Sequence, residues 1–359
     1  MHADRTQFGY VTGSSATCAL LKIQHTIINI LDDNTTDGCI MLWFDFSKAF
    51  DSVNHNILIA KLMSLGLPLE FVVWCKSYLS DRKQRVRHGN TFSHFINCPS
   101  GVPQGSKLAP LLYSLYTMEI APKFPFTTCS KFADDTTFLI PIPKNTPSEI
   151  VTKIIKDEVE HLNQTANSLY LQINLTKTKV LPIVKRNYTF PVEIDTCDSV
   201  RLLGVIFSRN LDWRKHFEVK IKLCSQRIYA LKVIKQILPR KSLIQVYVAL
   251  VLSVLEYGNP LFIGLSSAIQ NKIDRIQKRC HNIIDGRDCT CTDFPNLIMR
   301  RKSQSMSLFN KILVNKNHVL QDILFKLNVR NNFLLPHCKT NRLLNSFIFH
   351  CSWEHIHAS

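Results

Sequence analysis

Residues 131–140 read KFADDTTFLI. Two adjacent carboxylates, Asp134 and Asp135, interrupt a run of aromatic and β-branched side chains with the composition of a strand. A hairpin split as KF-ADD-TTFLI places both carboxylates at its tip. Neighbouring like charges repel, and burial raises their proton affinity, so such a pair calls for a cation. A divalent metal is the simplest answer, because it becomes the largest local charge. Taken alone, an ADD triplet is more often a polar turn on a surface hairpin.

A third carboxylate changes that balance. Residues 39–45, CIMLWFD, form a near-continuous apolar run ending on Asp45. Such a run suits a buried central strand with Asp45 at its end. Two strands whose tips each offer carboxylates can hold a pair of metal ions ~4 Å apart, a geometry that clamps the attacking and leaving oxygens of a phosphoryl transfer. Catalysis then consists of positioning and charge neutralisation.

The flanking sequence supplies a frame of helices and turns. Leu20, Ile23, Ile27, Ile30 and Leu31 recur at helical spacing, which predicts a helix over 15–31. Helices are also predicted over 56–66 and 69–79, and at roughly 107–120 after the Pro- and Gly-bearing loop PSGVPQGS at 99–106. Gly89-Asn90, between alternating residues, predicts a hairpin over 85–96. TPSEI at 146–150 reads as a helix start, with Thr146 as cap, Pro147 at the first helical position and Glu149 closing a capping box. Ile150, Ile154, Ile155, Val159, Leu162, Ala166 and Leu169 would mark its buried face.

Charge divides the chain. The 359 residues carry a formal charge of +17. Residues 1–140 hold 12 Lys and Arg against 11 Asp and Glu; residues 141–359 hold 32 against 16. A surplus of that size points to a polyanionic partner. The longest greasy run, VYVALVLSVL at 246–255, is too short to span a bilayer, so nucleic acid is favoured over a membrane. The N-terminus lacks the apolar segment of a signal peptide. The 12 cysteines are scattered without a CxxC pair, the usage of a reduced, intracellular compartment. Cys280, His281, Cys289, Cys291, His337, Cys338, His350 and Cys351 invite a zinc reading, but their spacing fits no common finger.

Five stretches in order, FDFSKAFDSVNH, SGVPQGSKLAPLL, FADD, INLTKTKV and LLGVIF, resemble motifs A to E of reverse transcriptases, closest to those of non-LTR (LINE, jockey-like) retrotransposons. QFGYVTGSSATCALL resembles the stretch before motif A, and the resemblance runs from Gln7 to about residue 285. It implies an α+β fold: a right-hand polymerase palm, with an antiparallel sheet backed by helices, partial fingers and an all-α thumb-like region. The implied division is 1–38 partial fingers, 39–208 palm with inserted fingers elements, 209–290 basic thumb and 291–359 a helical or irregular tail. The chain then corresponds to an N- and C-terminally incomplete part of a mobile-element protein.

The implied activity is RNA-directed DNA polymerisation on an RNA template and a DNA primer from deoxynucleoside triphosphates. Mg²⁺ is the implied cofactor, two ions per site, with Mn²⁺ as the alternative. Asp45, Asp134 and Asp135 are the implied catalytic and metal-binding residues. Lys177 matches the motif D lysine that protonates the leaving pyrophosphate, with Lys179 as fallback. Phe46, Phe50, Gln104 and Gly105 are implied at the nucleotide, with the Phe50 ring set against a ribose 2′-hydroxyl. Read as residues alone, Phe50 is equally a core side chain, Gln104 a loop-satisfying amide, and Lys177 and Lys179 a solvated charge pair. Asp51 suggests a turn or cap.

Gly204 falls in the hairpin that resembles the primer grip. Lys215, Lys220, Lys222 and Arg227, interleaved with Phe217, Ile221, Cys224, Ile228 and Leu231, would face phosphates from a thumb helix over 213–238. A second basic helix is predicted over 266–284. Two rival functions remain. A catalytically inactive nucleic-acid-binding remnant is suggested by Val11 and Ser14, which stand where the family carries arginines. An RNA-synthesising relative is opposed by Phe50.

Overall fold

Strand β1 (Thr36–Phe44) owes its place to its composition: Asp37–Leu42 and Phe44 are buried, and only a central strand covers both faces of such a run. It lies between β10 (Lys179–Val184) and β8 (Asp135–Pro143), in a four-stranded sheet ordered β10-β1-β8-β7, with β7 at Thr128–Phe132. The computed structural model describes residues 4–191, 195–286, 296–327 and 333–358. Cys289 and Cys291, and the expected boundary at 290/291, lie outside the described residues.

Before the sheet comes α1 (Ala16–Asp32). After β1 follow β2 (Phe46–Ser47), α2 (His55–Ser64), α3 (Leu69–Leu79), β3 (Lys83–Gln84), β4 (Arg87–His88), β5 (Thr91–Phe92), β6 (Ile96–Asn97) and α4 (Ala109–Tyr116). Then α5 (Ser148–Ser168) and β9 (Gln172–Ile173) lead into β10. The hairpin β11 (Ser199–Leu202) and β12 (Val205–Ser208) precedes the helices α6 (Arg214–Ile234), α7 (Arg240–Tyr247), α8 (Ser253–Glu256), α9 (Ser267–Ile284), α10 (Leu297–Val314), α11 (Asn341–Leu344) and α12 (Phe347–Ala358). The pairs β7–β8, β11–β12, β2–β9, β3–β6 and β4–β5 are antiparallel. Among the described residues no helix is long and apolar enough to cross a membrane.

Two compact units result: Met1–Ser15, Ile40–Val180 and Arg186–Thr196 form one, and Ala16–Cys39, Leu181–Lys185 and Cys197–Ser359 the other. The first core gathers Leu58, Leu62, Tyr113, Tyr116, Phe138, Ile140, Ile155 and Leu162, and the second Leu20, Ile27, Phe207, Phe217, Phe262 and Phe309. Residues 1–38 are thus shared between both units, with α1 packed on residues 259–262, α11 and α12.

Three local expectations need correction. Helix α5 starts one residue late: Pro147 holds the cap position and no side-chain cap forms. The Thr146 hydroxyl donates instead to Pro143 O at 2.7 Å. Its buried face runs through Val151, Ile155, Glu158, Leu162 and Ala166, while Ile150 is exposed. Glu158 is tolerated inside because it accepts from Lys123 N, Phe124 N and the Thr127 hydroxyl, which pins residues 123–127. Helix α4 spans 109–116 rather than 107–120, and two buried ammonium groups take up carbonyls at and beyond its end. Lys61 donates to Tyr116 O at 2.7 Å, and Lys131 to Thr117 O at 3.2 Å and Ile120 O at 3.0 Å.

The third correction is Lys220. Its ammonium points inward from α6, donates to Tyr257 O at 2.8 Å and lies 5.1–5.9 Å from the Phe217, Phe262 and Tyr257 ring centres. Burial pulls its pKa down to about 7, opposed in part by Cys224 and helped more weakly by Arg301. His216 beside it is held neutral, pulled to about 3 by burial, Lys220 and Arg201. A lysine whose folded pKa lies below the ordinary 10.5 makes the unfolded chain bind more protons between those values, so stability rises with pH across that window. Lys220→Met is expected to flatten this rise, removing a parent gain of ~2 kcal/mol between pH 7 and 8.5. Urea midpoints at the two pH values check it; parallel changes in parent and variant would contradict it.

A candidate active site and a basic helix face

The β7–β8 hairpin closes through the two residues 133–134, since Phe132 pairs with Asp135. Asp134 therefore sits on the turn and Asp135 opens β8, beside β1. Trp43, in β1 two residues before Asp45, donates its indole N–H to Asp135 Oδ1 at 3.3 Å. The side chains register one another electrostatically. Burial lifts Asp135 to about 6, reinforced by Asp134 and, more weakly, Asp45, against the Trp43 hydrogen bond. Asp134 is likewise raised, by burial first and then by Asp45. Sequence positions 45, 134 and 135 thus lie within electrostatic reach of one another.

A cation touches this group of carboxylates. β2 pairs with β9, and Asn174 N donates to Asp45 O at 2.8 Å, which carries the following turn alongside. Lys177 on that turn reaches Asp45 Oδ2 at 2.9 Å. The lysine side chain is 62% exposed, so this pair contributes little stability and yields readily to a stronger cation. Lys179 turns away to Asp195, at 2.5 Å. Among the described residues no group of three or more His, Cys, Asp or Glu side chains is arranged so that it could hold a metal ion. The side chains of Asp45, Asp134 and Asp135 nevertheless offer carboxylate oxygens, the donor type that a hard divalent cation takes, and burial first, then neighbouring carboxylates, raises the proton affinity of Asp134 and Asp135.

The loop after β2 is sewn to the loop 99–106. Gly101 N donates to Val53 O, Val102 N to Phe50 O, and the Ser100 hydroxyl to Asp51 O. A side chain on Gly101 would strike the Asp51 backbone at 2.8 Å, so only glycine permits this approach. Asp51 accepts from Gln104 Nε2 at 2.9 Å, a turn-bracing role. Gly105 is open and exposed. Phe50 stacks on Tyr113, with ring centres 4.5 Å apart and planes 18° from parallel, and Tyr10 meets its edge at 6.4 Å. Tyr113 is buried, so the Phe50 ring rests on a rigid floor. Phe46 needs correction: its side chain is 4% exposed, which leaves only its main chain for a nucleotide contact. Neither Tyr10 nor Tyr113 is singled out by the sequence; an aromatic residue nine positions after Gln104 carries no local signal for stacking.

The second unit holds the other expected residues. Leu203 and Gly204, both at positive φ, form the two-residue turn between β11 and β12. Leucine resists that conformation. Tyr257 supports the turn by donating its hydroxyl to Leu203 O at 2.6 Å. On α6, Lys215 and Lys222 are exposed, and Lys215 donates to the Ser199 hydroxyl at 2.6 Å. Arg227 is half-buried, donating to Leu250 O at 2.7 Å. With Lys220 inward, the basic face of α6 is narrower than its sequence suggests. On α9, Lys272, Arg275, Lys278 and Arg279 are exposed.

Residues 1–207 match the family described as reverse transcriptase (RNA-dependent DNA polymerase). Over 308 residues, 79% of this chain, the sequence is 28% identical to the probable RNA-directed DNA polymerase from transposon BS of Drosophila melanogaster. It is 27% identical over 295 residues, 76% of this chain, to the corresponding protein from transposon X-element, and 24% identical over 308 residues, 78% of this chain, to the RNA-directed DNA polymerase from mobile element jockey, both of that organism. In each case the match covers 32% of the relative, so the chain spans about a third of the length of these relatives. Among solved structures, telomerase from Candida albicans, in complex with a fragment of telomeric RNA, superposes with a TM-score of 0.50 at 14% identity, over 90% of this chain and 52% of that one. The shared fold is that of a polymerase palm joined to a helical region.

Proposed function

This chain belongs to the reverse transcriptase (RNA-dependent DNA polymerase) family, and on that premise we propose that its acidic cluster extends a primer 3′ end with deoxynucleotides copied from RNA. The supporting observation is that Asp45, just past β1, lies close enough to Asp134 and Asp135, at the β7–β8 turn, to add to the burial that raises their proton affinity. These carboxylates would hold two Mg²⁺ ions, or Mn²⁺. Bound there, the ions would supply charge neutralisation for the triphosphate and the attacking oxygen. Lys177, exposed and one hydrogen bond from Asp45, is placed to give up that contact and donate a proton to departing pyrophosphate. Residues 39–208 serve as palm, and 209–290 as a thumb that meets phosphates through Lys215, Lys222 and Arg227. Template and primer are RNA and DNA respectively.

Phe50, held flat on Tyr113, excludes the 2′-hydroxyl of a ribonucleotide. Phe50→Val is expected to raise ribonucleotide incorporation relative to deoxynucleotide by ~10–100-fold, the range over which pocket shape discriminates. Steady-state competition between the two nucleotide types checks it. An unchanged ratio would remove Phe50 from sugar selection, and a parent that prefers ribonucleotides would favour RNA synthesis.

Primer extension on an RNA template with Mg²⁺ tests the function itself. Extension by the parent supports it. Absence of extension with retained nucleic-acid binding would favour an inactive remnant, the reading suggested by Val11 and Ser14.

A further inference from the structure

We propose that Gln7 is a positioning residue, which fixes the backbone from which Asp134 projects by clamping both main-chain groups of Ala133. The Gln7 carboxamide is 3% exposed. Its Oε1 accepts from Ala133 N–H at 2.9 Å and from Gly9 N–H at 2.8 Å, and its Nε2 donates to Ala133 C=O at 3.3 Å. A planar amide is the side-chain group that accepts and donates from one end in this way.

Ala133 needs such a clamp. A two-residue hairpin turn requires positive φ at its first central position, where glycine is the usual occupant. Here that position is alanine, at φ 57°. A residue with a Cβ resists the left-handed region and stays there only when its surroundings over-determine it. The restraint comes from 126 residues away in sequence. Residues 6–8 run beside β7, with Lys131 N donating to Thr6 O at 2.7 Å and Phe8 N to Lys131 O at 2.8 Å. Gly9 then passes so close that a Cβ there would lie 2.5 Å from Ala133 N. Asp134 is the next residue, so any relaxation of Ala133 re-aims its carboxylate.

The activity arm of this proposal rests on the polymerase reading; the backbone arm does not. The test compares the parent, Gln7→Leu, the isosteric Gln7→Glu and the double variant Gln7→Leu/Ala133→Gly, each in the full chain. Amide hydrogen exchange at Ala133 and Asp134, referenced to Phe138 in β8, reads the turn. Single-turnover primer extension with Mg²⁺ reads the aim of Asp134. Gln7→Leu is expected to speed exchange at Ala133 at least tenfold while Phe138 stays protected. Its extension rate should fall ~10–100-fold with nucleotide KM nearly unchanged, the cost of misplacing a catalytic group.

Gln7→Glu keeps an acceptor for Ala133 N–H but faces Ala133 C=O without a donor. It should keep that amide protected, lose rate, and serve if the Leu variant does not fold. Adding Ala133→Gly should return several-fold of the lost rate, because glycine takes positive φ freely; a merely structural Gln7 predicts no such rescue. Unchanged Ala133 exchange in Gln7→Leu, or a double variant no faster than Gln7→Leu, would overturn the proposal. If the parent extends no primer, the polymerase reading falls, and exchange alone decides the clamp: faster exchange supports it and unchanged exchange refutes it.

Discussion

Asp134→Asn is expected to lower RNA-templated primer extension by at least ~10³-fold, the scale on which loss of a preorganised electrostatic group acts. The substitution keeps size and shape and removes the charge. It also removes the charge that adds to burial in raising Asp135 and Tyr10, so the fold should be at least as stable as the parent's. Nucleic-acid binding through exposed lysines and arginines should persist within a few-fold, since those contacts are independent of the cluster. A loss of extension with intact binding and an unchanged thermal midpoint isolates the charge. Equal extension by parent and variant would remove Asp134 from the chemistry.

The second large effect concerns stability. Lys131 is 2% exposed, and its ammonium meets Asp4 Oδ2 at 2.5 Å as well as the carbonyls of Thr117 and Ile120. Lys131→Met leaves a nearly buried carboxylate and two carbonyls without that partner. Breaking a buried pair from one side costs ~3–5 kcal/mol, and the variant should lose that amount in urea denaturation. Because much of the loss is the stranded charge, Lys131→Met/Asp4→Asn should be less destabilised than the sum of the two single variants. A loss below ~1 kcal/mol would mean that Asp4 relaxes to solvent, as exposed pairs do.

The parts of this molecule that sequence reveals are those fixed by local pattern. The apolar run at 39–44 becomes a central strand, the ADD triplet a hairpin tip, and Gly89-Asn90 a turn, because pleat, burial and turn chemistry act over a few residues. The acidic cluster was legible for another reason: carboxylates at the ends of apolar strands are conspicuous, and five ordered motifs accompany them. What escaped notice depends on distant partners. Lys220 looks like any surface lysine of a basic helix until the carbonyl of Tyr257 and three aromatic rings enclose it. Lys131 and Lys61 read as hairpin and helix charges, yet they satisfy carbonyls near the end of α4. Gln7 gave no sign of its bond to Ala133. The capping box at Thr146 failed because the helix starts one residue later, with Pro147 at the cap position, where no side chain can accept from the first turn.

The central claim, that Asp45, Asp134 and Asp135 together form a divalent-cation site, is tested most directly by anomalous diffraction from crystals of the chain soaked in Mn²⁺. The account predicts manganese density against the carboxylates of Asp45 and Asp134, lost in crystals of Asp45→Asn. Manganese bound elsewhere, or density that survives at the same place in Asp45→Asn, would contradict it.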